Sequence, residues 1–402
     1  MSDLVGIDQI LAARERLADV IQATPLQPSR AASSAAGIRT YLKCEHLQRT
    51  GSFKMRGAYN RIVTLSSSQR ERGVVCASAG NHAQGVALSA HLTGARARVF
   101  MPASAPLPKV AATRAYGAEI TLVDGGVDRA LEAATAHAAR TGSTLVHPFE
   151  HPDVIAGQGT LGLDLVDEVP DVGTVVVPIG GGGLISGVAA AVKARRPEAR
   201  VIGVQAERAA AVPASLAAGH PVSVPVGDTI ADGIAVAQPG ELTFAHIVAL
   251  VDDVVTVTDE AIARAVLLLA ERAKQVVEPS GAAGLAALLS GSINAVEPVV
   301  VLLCGGNVDP LLLVRIIQSG LVSEGRYLDL RTRLPDRPGA LSALLGQVAD
   351  AGANVVAIEH HRMMRALDLM EVELELAVET RGMDHGAEVL GRLRSAGYEV
   401  ET

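Results

Sequence analysis

Short apolar runs that end in glycine-rich loops, each opening a helical pattern, recur along this chain and constrain its fold more than any other feature. Val74-Val75-Cys76-Ala77 leads into Ser78-Ala79-Gly80-Asn81 and a helical pattern from His82 to about His91. Thr174-Val175-Val176-Val177-Pro178 leads into Gly180-Gly181-Gly182-Gly183 and a helical pattern through Lys193. Pro298 to Leu303 is nearly all apolar and ends in Cys304-Gly305-Gly306-Asn307. Such runs suit strands buried on both faces, and their alternation with helices predicts a parallel α/β layer. Further strands are predicted at 41–45, 97–101, 119–123 and 200–204, with helices at 7–23 and 109–116. The pattern restarts near residue 150. Two α/β halves with loops at the carboxyl ends of their strands imply a ligand in the cleft between them.

The texture changes near residue 320, where Ser319-Gly320 and Ser323-Glu324-Gly325 read as a short polar linker. A strand at 327–333, a helix at 339–351, strands at 354–361 and 367–377, a helix at 384–396 and a final short strand follow. That β-α-β-β-α-β order is the ferredoxin-like α+β layout. The expected division is 1–320, with a small lobe at about 46–149 and a large lobe from the rest, followed by 327–402.

The 402 residues, 49% of them hydrophobic, suffice for more than one core. A net charge of −8 provides no basic footprint, which argues against nucleic acid. No uninterrupted apolar run approaches the roughly 20 residues of a membrane span. Met1-Ser2-Asp3-Leu4 lacks the basic and apolar regions of a signal peptide. Cys44, Cys76 and Cys304 are too far apart for a disulfide framework or a metal motif, so a reducing cytoplasm is expected.

Several loops carry chemistry. In Thr50-Gly51-Ser52-Phe53-Lys54, a lysine leaves a Gly/Ser-rich turn at a helix start. There it is either a solvated surface amine or the nucleophile for an aldehyde cofactor whose anionic group sits nearby. Gly180 to Gly183 lets bare N–H groups converge on a phosphate, and no Gly-Lys-Ser/Thr follows as a triphosphatase would require. Ser78 to His82 is either a capping loop or a carboxylate site, with Asn81 able to bond a phenolic oxygen. No basic group precedes Cys304 to activate it as a nucleophile. Glu278 could face a site, although the helix entry at Pro279 accounts for that segment by itself.

Taken together and in this order, Ser52-Phe53-Lys54, Ser78 to His82, Gly180 to Leu184 and Cys304 to Asn307 resemble the fold-type II pyridoxal-phosphate enzymes, most closely the threonine/serine dehydratases. Asp336-Arg337-Pro338-Gly339-Ala340-Leu341 looks like the signature of an ACT domain. The resemblance spans nearly the whole chain and implies a two-lobed α/β enzyme with a C-terminal regulatory ACT domain. It implies that Lys54 binds the cofactor aldehyde and later removes the α-proton, that Phe53 lies against the ring, and that Asn81 bonds the ring's 3-oxygen. The N–H groups of Gly180, Gly181, Gly182, Gly183 and Leu184 would hold the phosphate, and Cys304 would face the ring nitrogen. Ser78, Ala79, Gly80, Asn81 and His82 would take the substrate carboxylate, and Asp336, Pro338, Gly339, Ala340 and Leu341 an amino-acid effector.

The implied reaction is β-elimination from L-threonine, and secondarily L-serine, to a 2-oxoacid and ammonia. Isoleucine is the expected effector and a homotetramer the expected assembly. A neutral thiol supports a ring cation less than a carboxylate would, which suits elimination over long-lived carbanion chemistry. Ala79 stands where related racemases carry a serine, so racemisation is not expected. The acidic metal pattern of those relatives is broken across Gln205 to Ala211, so no divalent metal site is expected either. The competing readings are a catabolic serine/threonine dehydratase with another effector or none, a non-catalytic amino-acid sensor, and a nicotinamide dehydrogenase.

Overall fold

The computed structural model describes residues 4–362 and 370–402. The chain divides into two compact units, 1–313 and 314–402. In the first unit the apolar runs become the inner strands of two sheets. The larger sheet has the order Leu26–Pro28, Thr40–Lys43, Val299–Leu302, Thr174–Pro178, Arg200–Ala206, Asp253–Val257. Its first pair is antiparallel and the remaining pairs are parallel. Val175, Val177, Val201, Val300 and Leu302 pack on one face against Leu161, Leu165, Ile185 and Val188 from the helices Pro152–Glu168 and Gly183–Arg195. On the other face Val176 and Val301 meet the helix Pro279–Leu289 at Gly284. Helices on both sides explain why these strands read as unbroken apolar runs.

The smaller sheet is wholly parallel, in the order Glu119–Val123, Ala97–Pro102, Val74–Ala77, Thr144–Leu145. Val74, Cys76, Val99 and Met101 pack on the helices Lys54–Val63 and Asn81–Leu92, while Val75, Ala77 and Phe100 face the helix Val127–Thr141. Glycines let the helices approach closely. A Cβ on Gly187 would lie 2.3 Å from the Ile155 carbonyl, and one on Gly157 would lie 2.6 Å from the Arg56 carbonyl.

The second unit has a four-stranded antiparallel sheet in the order Asn354–His361, Glu371–Glu379, Tyr327–Pro335, Val400–Glu401. The helices Ala340–Asp350 and Met383–Ser395 bring Leu344, Val348, Val389 and Leu393 onto Leu330, Leu334, Leu374 and Leu376. No helix among the described residues is long and apolar enough to cross a membrane.

Several expectations need correction. The first helix ends at Leu17, not residue 23, because the Val20 and Ile21 N–H groups both turn back onto the Leu17 carbonyl. The strand expected at 41–45 ends at Lys43, and Glu45 enters a short 3-10 turn whose buried carboxylate is held by Arg56. Ser319-Gly320 is not linker but lies in the helix Pro310–Ser323, where Gly320 is buried. That helix, like the strands Leu26–Pro28 and Asp253–Val257, was not anticipated. The strand expected from residue 367 begins outside the described residues, and its described part runs Glu371–Glu379.

Candidate active site

Lys54 opens the helix Lys54–Val63. The turn before it is stitched to the loop after the strand Val299–Leu302. The Phe53 N–H donates to the Cys304 carbonyl at 3.2 Å, and the Gly306 N–H donates to the Gly51 carbonyl at 2.9 Å. Gly51 sits at φ +70°, and a Cβ there would meet the Asn307 side-chain oxygen at 2.5 Å. Two loops some 250 positions apart in sequence thus form one wall, across which Ser52 and Gly305 pair in an isolated antiparallel bridge.

The Lys54 amine is part-buried. It makes a long hydrogen bond, 3.4 Å, to the Pro148 carbonyl and stands 5.1 Å from the Phe53 ring centroid. Burial lowers its pKa to about 8, against the opposing pull of Glu278 and Cys304. About one-tenth of it is therefore the neutral, nucleophilic amine at pH 7, far more than in an ordinary lysine. Next to it, Ser52 Oγ and Thr50 Oγ1 are buried without a hydrogen-bond partner among the described residues. Buried polar atoms left open in this way suit a site that receives a polar ligand.

Asn81 begins the helix Asn81–Leu92, beyond the strand Val74–Ala77. Its Nδ2 donates to Glu278 Oε1 at 2.7 Å, and its Oδ1 accepts from Asn307 Nδ2 at 2.8 Å. In the same loop, the Ser78 hydroxyl accepts from the Gly80 N–H at 3.1 Å. Ala79 follows Ser78, leaving no hydroxyl at that position. The His82 ring is buried and bonded through Nε2 to the Val146 carbonyl at 2.8 Å. Burial and the Lys54 charge push its pKa down to about 3, so the ring stays neutral. His147, held at Nδ1 by the Phe149 and Glu150 N–H groups, is likewise lowered, to about 4.

Gly180 to Gly183 turns from the strand Thr174–Pro178 into the helix Gly183–Arg195. Cβ atoms on Gly181 and Gly183 would lie 2.2 and 2.7 Å from Phe149 atoms, and Gly182 holds φ +97°. Thr243 fixes the turn from behind through its hydroxyl, which donates to the Gly181 carbonyl at 2.7 Å. The Ser186 N–H bonds the Gly182 carbonyl, so the amides of Gly183 and Leu184 belong to the helix's open first turn. That arrangement fits a phosphate.

Cys304 is buried at the end of its strand, with its thiol directed at the Leu302 carbonyl 3.7 Å away. Burial and the neighbouring Glu278 and Glu45 carboxylates hold the thiol well above its ordinary pKa, so it stays protonated. A neutral hydrogen-bond partner fits, and a thiolate nucleophile does not.

Sequence reasoning undervalued two residues. Glu278 does precede a helix, but its carboxylate is buried and faces Asn81 rather than capping. Asn307 was read only as the end of its loop, yet it donates to both the Thr50 carbonyl and Asn81. Only pairing across loops reveals either role. In the stretch expected to lack a metal, Gln205 spends its amide on the Ile179 carbonyl and the Val212 N–H. In the second unit Glu359, His361 and Glu375 gather ligand atoms within 4.8 Å of one another, but Glu375 already pairs with Arg331 at 2.6 Å. There, too, the segment 336–341 joins a strand to a helix. Gly339 lies at φ +89°, Asp336 pairs with Arg362 at 3.2 Å, and Ala340 and Leu341 pack on the sheet core.

A part-buried lysine, a glycine turn with open amides, an asparagine held by Glu278 and Asn307 and a neutral thiol, all on loops that follow parallel strands or open helices, suit a phosphorylated aldehyde. The chain belongs to the pyridoxal-phosphate dependent enzymes, whose family pattern matches residues 17–305. It is 47% identical to an L-threonine ammonia-lyase of Thermotoga maritima over 397 residues, 99% of each chain. A catabolic L-threonine dehydratase of Escherichia coli K12 is 42% identical over 308 residues, covering 76% of this chain and 94% of that one. Among solved structures, maize serine racemase aligns with a TM-score of 0.75 at 38% identity, over 80% of this chain and 99% of that chain. The cofactor is pyridoxal phosphate, and the residues described above fit it.

Proposed function

We propose that this chain is a threonine ammonia-lyase that converts L-threonine to 2-oxobutanoate and ammonia by β-elimination. The observation that carries the reading is the part-buried Lys54 amine beside the Pro148 carbonyl, on a turn stitched to the Cys304 loop, where burial lowers its pKa. When bound, pyridoxal phosphate supplies the aldehyde that Lys54 captures and the electron-withdrawing ring that acidifies Cα. Lys54 then removes the α-proton. Asn81 would give an N–H to the ring oxygen, and Phe53 would lie against the ring. Cys304 would turn its neutral S–H from the Leu302 carbonyl to the ring nitrogen. The N–H groups of Gly180, Gly181, Gly182, Gly183 and Leu184 hold the phosphate. Ser78 to His82 receives the substrate carboxylate, with His82 contributing its backbone, since its ring is occupied by Val146.

Ala79 leaves Lys54 without an acid on the opposite face of Cα, which favours elimination over racemisation. Residues 327–402 form the ACT domain in this reading, with isoleucine as feedback inhibitor bound around Asp336 to Leu341 in a homotetramer. Support for the domain assignment comes from the ferredoxin-like order of the second unit. The test is release of ammonia and 2-oxoacid from L-threonine and L-serine, each with and without isoleucine and valine. Threonine turnover damped by isoleucine is expected. No turnover of either substrate would refute the catalytic reading, and a flat isoleucine titration would refute the feedback reading alone.

A further inference from the structure

The Asn81 side chain is committed at both ends. Asn307 Nδ2 bonds the Thr50 carbonyl at 2.7 Å, so that atom must be a nitrogen, and its other N–H reaches Asn81 Oδ1 at 2.8 Å. This fixes which end of the Asn81 amide carries the hydrogens. One of them goes to Glu278 Oε1 at 2.7 Å. An amide nitrogen has two hydrogens, so one N–H remains. From the geometry we infer that Glu278 and Asn307 are positioning residues that lock the Asn81 amide from opposite ends, leaving its second N–H for the cofactor's ring oxygen. The inference rests on the cofactor reading above.

The backbone around Glu278 is built for this placement. A π-helical turn at Leu269–Ala273 is followed by Lys274 at φ +59°, an uncommon conformation for a non-glycine residue that redirects the chain toward Glu278. The Glu278 N–H then donates to the Gly305 carbonyl at 3.0 Å, and a Cβ on Gly305 would strike Glu278 Oε1 at 2.3 Å. The glycine therefore makes room for the carboxyl group.

The lock is also proton-linked. Burial and Asp232 push Glu278 up to about 7, while the Asn81 bond, Lys109 and Lys54 pull the other way. Lys109 and Asp232 pair with each other at 3.0 Å, and the neighbouring Cys304 is a neutral thiol. Above about pH 7 Glu278 is a carboxylate, which is a stronger acceptor than the neutral acid, so the lock tightens as pH rises.

The experiment compares Glu278→Gln, Glu278→Ala and Asn307→Ala, alone and in an Asn81→Ala background, by pyridoxal phosphate affinity and by the pH profile of the bound cofactor's visible absorbance. Melting of the apo-proteins serves as the folding control, and Glu278→Gln is nearly isosteric. Wild type should show a spectral transition centred near pH 7 that Glu278→Gln lacks. Glu278→Ala and Asn307→Ala should each weaken cofactor binding roughly tenfold, because each leaves one end of the part-buried Asn81 amide unpaired. In the Asn81→Ala background the Glu278→Ala loss should largely vanish and the Asn307→Ala loss should shrink to what its Thr50 bond contributes. A wild-type transition retained in Glu278→Gln, or losses undiminished without Asn81, would overturn the inference and leave the cofactor reading standing. Wild-type protein that binds no pyridoxal phosphate would overturn the reading and the inference together.

Discussion

At Lys54 the departure from ordinary behaviour comes from burial, which disfavours the ammonium form. Capture of pyridoxal phosphate by the apo-protein needs the neutral amine, so its rate should rise with pH through a midpoint near 8, well below an ordinary lysine's 10.5. Stopped-flow absorbance checks this, and Lys54→Ala should lose both the visible absorbance and borohydride trapping. His82 makes an opposite kind of statement, about stability. Its folded pKa of about 3 lies below the unfolded value of 6.5, so between those values only the unfolded chain binds the proton. Stability should therefore fall as pH drops from 6.5 toward 3, and His82→Gln should flatten that slope in denaturant titrations. The role of His82 as a buried, neutral ring was not legible in the sequence, because its partner Val146 lies 64 positions away.

At the scale of elements, the helix that presents Lys54 is anchored by charge and by small residues. Arg56 and Glu45 are fully buried and paired at 2.9 Å, with Asp164 2.8 Å from the same guanidinium and Thr160 accepting a further bond. Leaving one partner of such a pair alone should cost about 3–5 kcal/mol. Arg56→Leu should thus be markedly destabilised, and adding Glu45→Leu should recover part of the loss, as read by chemical denaturation. Gly187 is the counterpart without charge one layer further on, where the helix Gly183–Arg195 meets Pro152–Glu168. Its Cβ position lies 2.3 Å from one backbone oxygen and 2.5 Å from the Gly159 nitrogen, so no side-chain movement relieves it. Gly187→Ala should cost about 1–3 kcal/mol, seen as a lower melting temperature. Strands with strong local patterns, such as Glu119–Val123 and Thr174–Pro178, were legible to the residue. The helix Pro310–Ser323 was not, since Ser319 and Gly320 mimic a linker until burial of Gly320 reveals its packing.

At the scale of the whole molecule, two units with separate cores predict separable roles. The Escherichia coli relative aligns over 76% of this chain, so what it shares does not extend to the full length here. A chain ending after Gly325 should keep threonine turnover within a few fold and lose any response to isoleucine, measured as inhibition curves of both forms. The order of apolar strands and glycine loops determined a parallel α/β enzyme with a second α+β unit. Local residue types determined which loops carry chemistry, because a glycine cup or a lysine at a helix start works through its own backbone. What only the tertiary structure decided is how those loops meet. Gly51 lies on Gly306, and Asn81 is gripped between Asn307 and Glu278, 226 and 197 positions away. Hydrogen-bond partners and pKa values depend on distance and burial in space, and neither is a property of residue order.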